Sequence, residues 1–250
     1  MCTLALYYRS FDGYPLVVAA NRDEHYDRPA APPGLLGGNP AILAGRDLRA
    51  VGTWLGVNEH GLLAGILNRR SDGAPRPGAR SRGLLCLDIL AQKSAAQARA
   101  FVQAHRAVYQ PFTLVVADQN EAWSGYNTAD DIEAQPLGLG VHVFSNAGEA
   151  DAIADKRDRA YGRFAALADE LQRRGDADRF LGLQSVLKDH SLGDGSNDPR
   201  DAICMHGENA GTVSSSIILY AQRERCFQSY YCPGAPCRNN FSPMTELTVR

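Results

Sequence analysis

Apolar positions cluster in short runs along this chain. Leu4 to Tyr8 is apolar, the polar stretch Ser10 to Pro15 interrupts, and Leu16 to Ala20 is apolar again. Two β-prone runs separated by Asp-Gly chemistry predict a hairpin from Cys2 to Asn21, its second strand buried on both faces. A proline- and glycine-rich stretch, Arg28 to Pro40, reads as a loop. The runs AILAGRD, GTWLGVNEHG and LLAGILN then read as short strands between glycine-containing turns. From Leu84 to His105 the apolar spacing becomes helical and predicts one long helix. Phe112 to Asp118 and Gly140 to Asn146 read as strands, Ala152 to Arg174 and Arg179 to Lys188 as helices. A last strand, TVSSSIILYAQ, precedes a Cys/Pro-rich tail.

Strands at both ends with helices grouped in the middle predict an α+β domain with mostly antiparallel sheet rather than alternating βαβ units. No composition shift marks a linker and no internal repeat occurs, so residues 1–250 are read as a single domain. The 250 residues are 44% apolar and 22% charged, enough for a sizeable core. A net charge of -2 gives no reason to expect nucleic acid as a partner. Near the start, the run Leu16 to Ala20 is too short for a signal-peptide core or a membrane span. Six cysteines are too sparse for a disulfide framework, which points to a reducing, cytoplasmic setting. Neither a GxGxxG nor a Walker motif is present to bind a nucleotide.

Cys2 is the residue with the most chemical promise. Removal of Met1 would give its thiol a neighbouring α-amine, and an amine with a pKa of roughly 8 can serve as the base that ionises the thiol. The stretch NRDEHYDRP, Asn21 to Pro29, puts charges just beyond a buried strand, where they need partners. The hairpin brings Asp23 within reach of the amino terminus.

The series MCTLAL, ANRDE, GRD, GTWLGVNEHG, SRG, SNA and GTVSSSIIL resembles the NRDE family of transport-and-Golgi-organisation proteins. It is more distantly similar to N-terminal-nucleophile hydrolases of the choloylglycine hydrolase and penicillin acyltransferase type. That resemblance implies a four-layer αββα sandwich with Cys2 as nucleophile and Asp23 orienting its amine. It also implies Asn68 and Asn146 as active-site asparagines, the latter holding an oxyanion. Asn21, Arg22, Lys156 and Arg159 are then candidates for holding the substrate or the thiolate. The hydrolases carry an arginine three residues before the aspartate, where this chain has Ala20. Arg22 neighbours Asp23 on a strand and is expected on the opposite face. The implied activity is hydrolysis or acyl transfer at a C–N amide bond of a small molecule, with no cofactor.

A second implication of the family is haem trafficking, with haem as a ligand and His25, His206, Met205, Cys204 and Cys232 as candidate axial ligands. Arg69, Arg70, Arg76, Arg80 and Arg82 form a basic loop, a candidate for binding an anionic substrate group, that reads first as solvated. Cys226, Cys232 and Cys237 have the spacing C-x5-C-x4-C without a CxxC pair, so no metal site is expected among them. The loop GDGSNDPRD lacks the terminal glutamate of an EF-hand. Trp54 and Trp123 are read as core residues.

Overall fold

The computed structural model describes residues 2–69, 76–104, 108–127, 131–145, 154–173, 179–193 and 196–250. These divide into two compact units. The first comprises Met1–Asp27, Leu139–Leu219 and Ser229–Pro243; the second comprises Arg28–Gly138, Tyr220–Gln228 and Met244–Arg250.

The predicted hairpin opens the first unit as β1 (Thr3–Phe11) and β2 (Tyr14–His25). Pairing runs from Thr3 opposite Asn21 to Tyr8 opposite Leu16, and Gly13 takes the positive φ of +74° that the turn requires. Leu4 to Tyr8 and Leu16 to Asp23 are buried without alternation, as a strand covered on both faces should be.

The second unit is built on a meander. In chain order its elements are β3 (Ala30–Leu36), β4 (Ile42–Asp47), β5 (Leu55–Asn58), β6 (Leu63–Asn68), α1 (Arg82–Leu90), α2 (Ala95–Ala104), β7 (Phe112–Ala117), β8 (Ala122–Asn127) and β9 (Ile132–Pro136). The strands pair antiparallel in sequence order as a seven-stranded sheet. Two expectations change here. The Pro-rich segment is strand β3 rather than a loop, because it lies on the sheet edge and its register shifts between Ala31 and Gly34, where Pro32 and Pro33 sit. The single long helix is two helices, because contacts distant in sequence cap each half. Asn58 Nδ2 donates to the Leu90 and Gln92 carbonyls at the end of α1, both at 2.7 Å, and Asp118 Oδ2 accepts from Ala95 N at the start of α2.

The core of this unit gathers Leu85, Ile89 and Leu90 of α1, Ala98 and Val102 of α2, and Phe112, Leu114 and Trp123. Trp123 is fully buried, and its indole N–H donates to the Ala95 carbonyl at 2.9 Å. The GTWLG stretch is a packing device. Gly52 lies against the backbone of Gly83 at the start of α1, and Thr53 N donates to the Gly83 carbonyl at 3.1 Å. Trp54 covers Gly45, and Gly56 faces Ala44 and Leu90. A methyl group at Gly52 would land on the Gly83 backbone, which has no side chain to move aside. Gly52→Ala is therefore expected to cost about 1–3 kcal/mol of stability through overpacking, read as a lower urea midpoint.

The chain then returns to the first unit with β10 (Gly140–Ser145), α3 (Ala154–Arg173), α4 (Arg179–Leu187), β11 (Ala210–Ala221), β12 (Cys226–Pro233) and β13 (Ser242–Pro243), except that Tyr220–Gln228, the end of β11 and the start of β12, belongs to the second unit. A short β14 (Leu247–Thr248) pairs with the beginning of β12. The Cys/Pro-rich tail thus carries strands. The strand order is β10-β1-β2-β11-β12-β13, so β1 is paired along both edges. Tyr7, Val17, Phe164, Leu171, Leu183 and Ile217 fill the core beneath α3 and α4, and the Tyr7 hydroxyl donates to the Phe164 carbonyl at 2.9 Å. Among the described residues, no helix is long and apolar enough to cross a membrane.

Candidate functional site

Cys2 immediately precedes β1, and its position follows from the hairpin register. Thr3 opposite Asn21 puts Cys2 opposite Arg22 when the ladder is continued by one residue. Cross-strand partners share a face, so Arg22 stands on the same side of the sheet as Cys2 and on the other side from the Asp23 carboxylate. Alternation therefore sets Arg22 apart from Asp23, as expected, while keeping its charge beside the thiol. The half-buried Cys2 thiol lies 3.9 Å from the Asp23 carbonyl oxygen.

Asp23 is held tightly. Its side chain and that of Lys156 are almost wholly buried, with Lys156 Nζ 3.5 Å from Oδ2. Thr212 donates its hydroxyl to Oδ1 at 2.6 Å while accepting a hydrogen bond from Met205 N at 2.8 Å. With both roles of the hydroxyl used, Thr212 has one orientation. A buried carboxylate is tolerated when cation and donor compensate its lost hydration, and α3 and β11 supply them here. Burial still pushes the Asp23 carboxyl up, against the downward pull of Lys156 and Thr212. It likewise pushes the Cys2 thiol up, and the Asp23 charge adds to this. Hydrogen bonding from the Asp23 backbone and the Arg22 guanidinium act in the other direction.

The other predicted residues are distributed as follows. Asn21 is buried, with its Nδ2 donating to the Leu187 and Ile203 carbonyls at 3.0 and 2.9 Å and its Oδ1 accepting from Ser215. These bonds tie β2 to β11 and to the chain around α4. Arg159 donates to the Asp201 carbonyl at 2.6 Å, and its guanidinium packs on Gly193. Asn68 ends β6 in the second unit, exposed and opposite Phe112. Asn146 lies outside the described residues. Ala20 is buried in β2 opposite Leu4.

Of the candidate haem ligands, His25 is exposed at the end of β2. Cys204 and Met205 are buried, His206 is half-buried, and Cys232 is buried within β12. In the basic loop, Arg76 and Arg82 donate to the Tyr109 and Pro111 carbonyls, and Arg80 bonds Asp88 and the Tyr109 hydroxyl. Arg69 lies over the Tyr126 ring, and Arg70 is outside the described residues. These arginines bind the second unit's own chain rather than standing out in solvent.

Sequence reasoning missed Thr212. The available signal was the hydroxyl-rich opening of an otherwise apolar strand, Thr212 to Ser216, since buried hydroxyls require partners.

The sequence matches the family described as Transport and Golgi organisation 2 over residues 1–229. It is 33% identical over 146 residues to the cattle protein called Transport and Golgi organization protein 2 homolog, covering 55% of this chain and 52% of that one. Against the human homolog it is 29% identical over 189 residues, covering 73% of this chain and 62% of that protein. The chain thus spans roughly half to three fifths of the length of these relatives.

Among solved structures it resembles the Caenorhabditis elegans ortholog of N-acylethanolamine-hydrolyzing acid amidase, with a TM-score of 0.56, 16% identity, and coverage of 88% of this chain and 92% of that one. A mutant conjugated bile acid hydrolase from Clostridium perfringens gives a TM-score of 0.58 at 11% identity, over 100% of this chain and 98% of that one. Penicillin V acylase from Agrobacterium tumefaciens gives 0.55 at 12%, over 100% and 99%. Identities this low establish the fold alone. The α+β, mostly antiparallel fold of N-terminal-nucleophile hydrolases read from the sequence is the fold observed.

Proposed function

This chain belongs to the Transport and Golgi organisation 2 family, and from that premise we propose that it is an N-terminal cysteine amidohydrolase or acyltransferase acting on a C–N amide bond of a small molecule. One observation carries the reading: the Cys2 thiol sits at the start of β1 beside Asp23, whose carboxylate Thr212 and Lys156 hold in place. The named hydrolase, amidase and acylase neighbours support it through the fold.

The electrostatics specify what the reaction needs. A thiol raised by burial does not ionise on its own, so a base must take its proton as the sulfur attacks. With Met1 removed, the Cys2 α-amine is that base and Asp23 orients it. The sulfur bonds to the amide carbon, and Asn146 takes the charge that develops on the carbonyl oxygen. The C–N bond then breaks, the amine leaves with the proton that the α-amine had received, and a thioester remains on Cys2. Water or a second amine attacks the thioester, yielding acid or a new amide and restoring the thiol. Arg22, on the Cys2 face, favours the thiolate in the place of the arginine absent at Ala20. The reaction takes place in the cytoplasm and requires no cofactor.

Intact-protein mass spectrometry after brief incubation with a panel of small acyl-amides and an acid quench tests this reading. The expected species lacks Met1 and carries the acyl mass on the peptide that begins with Cys2. Retention of Met1 on all of the protein, or acylation confined to other residues, would overturn it.

A further inference from the structure

Four residues with metal-ligand chemistry converge in the first unit. Cys204 and His206 flank Met205 just before β11, Cys237 lies beyond β12, and His190 follows α4. The ligand atoms of His190, His206 and Cys237 all lie within 4.8 Å of one another. Cys204 Sγ is 3.6 Å from Cys237 Sγ and 3.7 Å from His206 Nε2, and His206 Nε2 is 3.1 Å from Cys237 Sγ. A tetrahedral ion with metal–sulfur bonds of about 2.3 Å and metal–nitrogen bonds of about 2.0 Å requires ligand-to-ligand edges of about 3.3–3.8 Å. The two Cys204 edges lie in that range and the His206–Cys237 edge just below it; Cys204 stands outside the set that shares the 4.8 Å span, so its thiolate turns toward His190 when a cation binds.

We propose that Cys204, His206, Cys237 and His190 form a Cys2His2 site for a zinc-type divalent cation. Two thiolates and two neutral imidazoles neutralise such an ion and suit its preference for soft sulfur and nitrogen donors. The surroundings already orient the ligands. His190 Nδ1 is 3.3 Å from the Lys188 carbonyl, which leaves Nε2 as the ring nitrogen suited to a cation, and Cys204 N donates to the Asp189 carbonyl at 2.7 Å. The rings of His190 and His206 meet edge to face, with centroids 6.0 Å apart. Three separate chain segments contribute, so local sequence spacing conceals the set. Cys237 belongs with Cys204 rather than with Cys226, whose thiol contacts Glu246, or with Cys232, whose thiol contacts the Pro233 carbonyl.

The cation would brace the chain that presents Thr212. Met205, between two of the ligands, exchanges hydrogen bonds with Thr212, and Thr212 donates to Asp23. The site is a structural clamp beside the candidate active site, and it stands whether or not Cys2 is a nucleophile.

Cobalt(II) titration of the full, reduced chain under argon tests the proposal. The expected result is saturation at one cobalt per chain, with visible ligand-field bands of tetrahedral strength and near-ultraviolet thiolate-to-cobalt charge transfer, both removed by one equivalent of zinc. Cys237→Ala should lose about half of the charge-transfer intensity at saturating cobalt, Cys204 supplying the rest, and weaken zinc binding by on the order of 100-fold or more, while Cys226→Ala should keep both. His190→Ala, altering an exposed side chain, provides a variant that folds and should also bind more weakly. A folded, reduced parent without these bands would overturn the proposal, as would bands that persist unchanged in Cys237→Ala and His190→Ala.

Discussion

Cys2→Ala is expected to lower turnover of a responsive acyl-amide by on the order of 10³-fold or more, leaving the melting temperature within a few degrees of the parent. The activity loss follows from removing the sulfur that, in the proposed reaction, forms the thioester. The small stability effect follows from where Cys2 sits: it is half-buried, ahead of the first ladder pair, and its sulfur stands a long 3.9 Å from the Asp23 carbonyl oxygen. The companion experiment leaves the side chain alone. Protein purified with Met1 in place should be inactive and should regain turnover when methionine aminopeptidase exposes the α-amine, because the burial-raised thiol lacks a base until then. Equal turnover before and after that treatment would show that the amine is not the base. Turnover of Cys2→Ala equal to that of the parent would remove Cys2 from the reaction altogether.

The second large effect concerns Asp23 and Lys156. Breaking a buried ion pair by removing one partner leaves an uncompensated charge, so Lys156→Met and Asp23→Asn are each expected to destabilise by about 3–5 kcal/mol. The double variant, which buries no charge at this position, should recover part of that loss. A urea-melt double-mutant cycle reads the coupling, and additive losses would mean that the two side chains do not interact.

The pH dependence has a definite sign. Burial raises the folded-state Asp23 carboxyl above its unfolded value near 4. Its contribution to stability is therefore fully present below that value and is lost as pH rises through the folded-state value. Removing Lys156 takes away the main opposing pull, so the loss in Lys156→Met extends further toward alkaline pH. The gap between this variant and the parent should narrow as the solution is acidified below about pH 4, where Asp23 is protonated in both.

What could be read in advance divides along physical lines. The hairpin was legible because Leu4 to Tyr8 and Leu16 to Ala20 are uninterrupted apolar runs around an Asp-Gly turn, and strands covered on both faces need nothing else. The Pro32-Pro33 segment was misread because proline abolishes central strands but not edge strands, and edge position is a property of the whole sheet. The break between α1 and α2 was hidden for a similar reason: Asn58 and Asp118, which cap the two halves, come from distant strands.

At the site, Cys2 and Asp23 were accessible through hairpin geometry and family order. Thr212 was not, because nothing local distinguishes it from Ser214 or Ser216. The family-like GTWLG stretch proved to be close packing of Gly52, Trp54 and Gly56, so a specific sequence signature was reporting steric need rather than chemistry. Arg22 shows that alternation along one strand is only half of an orientation argument. The partner strand decides which residues share a face.

The strand order also dictates a sequence of events during synthesis. The seven strands β3 to β9 pair with immediate neighbours, so their sheet can close as soon as residue 136 has emerged. The other sheet depends on distant partners: β1 waits for Ser145 to meet Thr3, and β2 waits for β11. Asp23 receives its Lys156 and Thr212 contacts only when those later segments arrive. On a growing chain the local meander matures first, and the surroundings of Cys2 are assembled last, from the beginning, middle and end of the polypeptide.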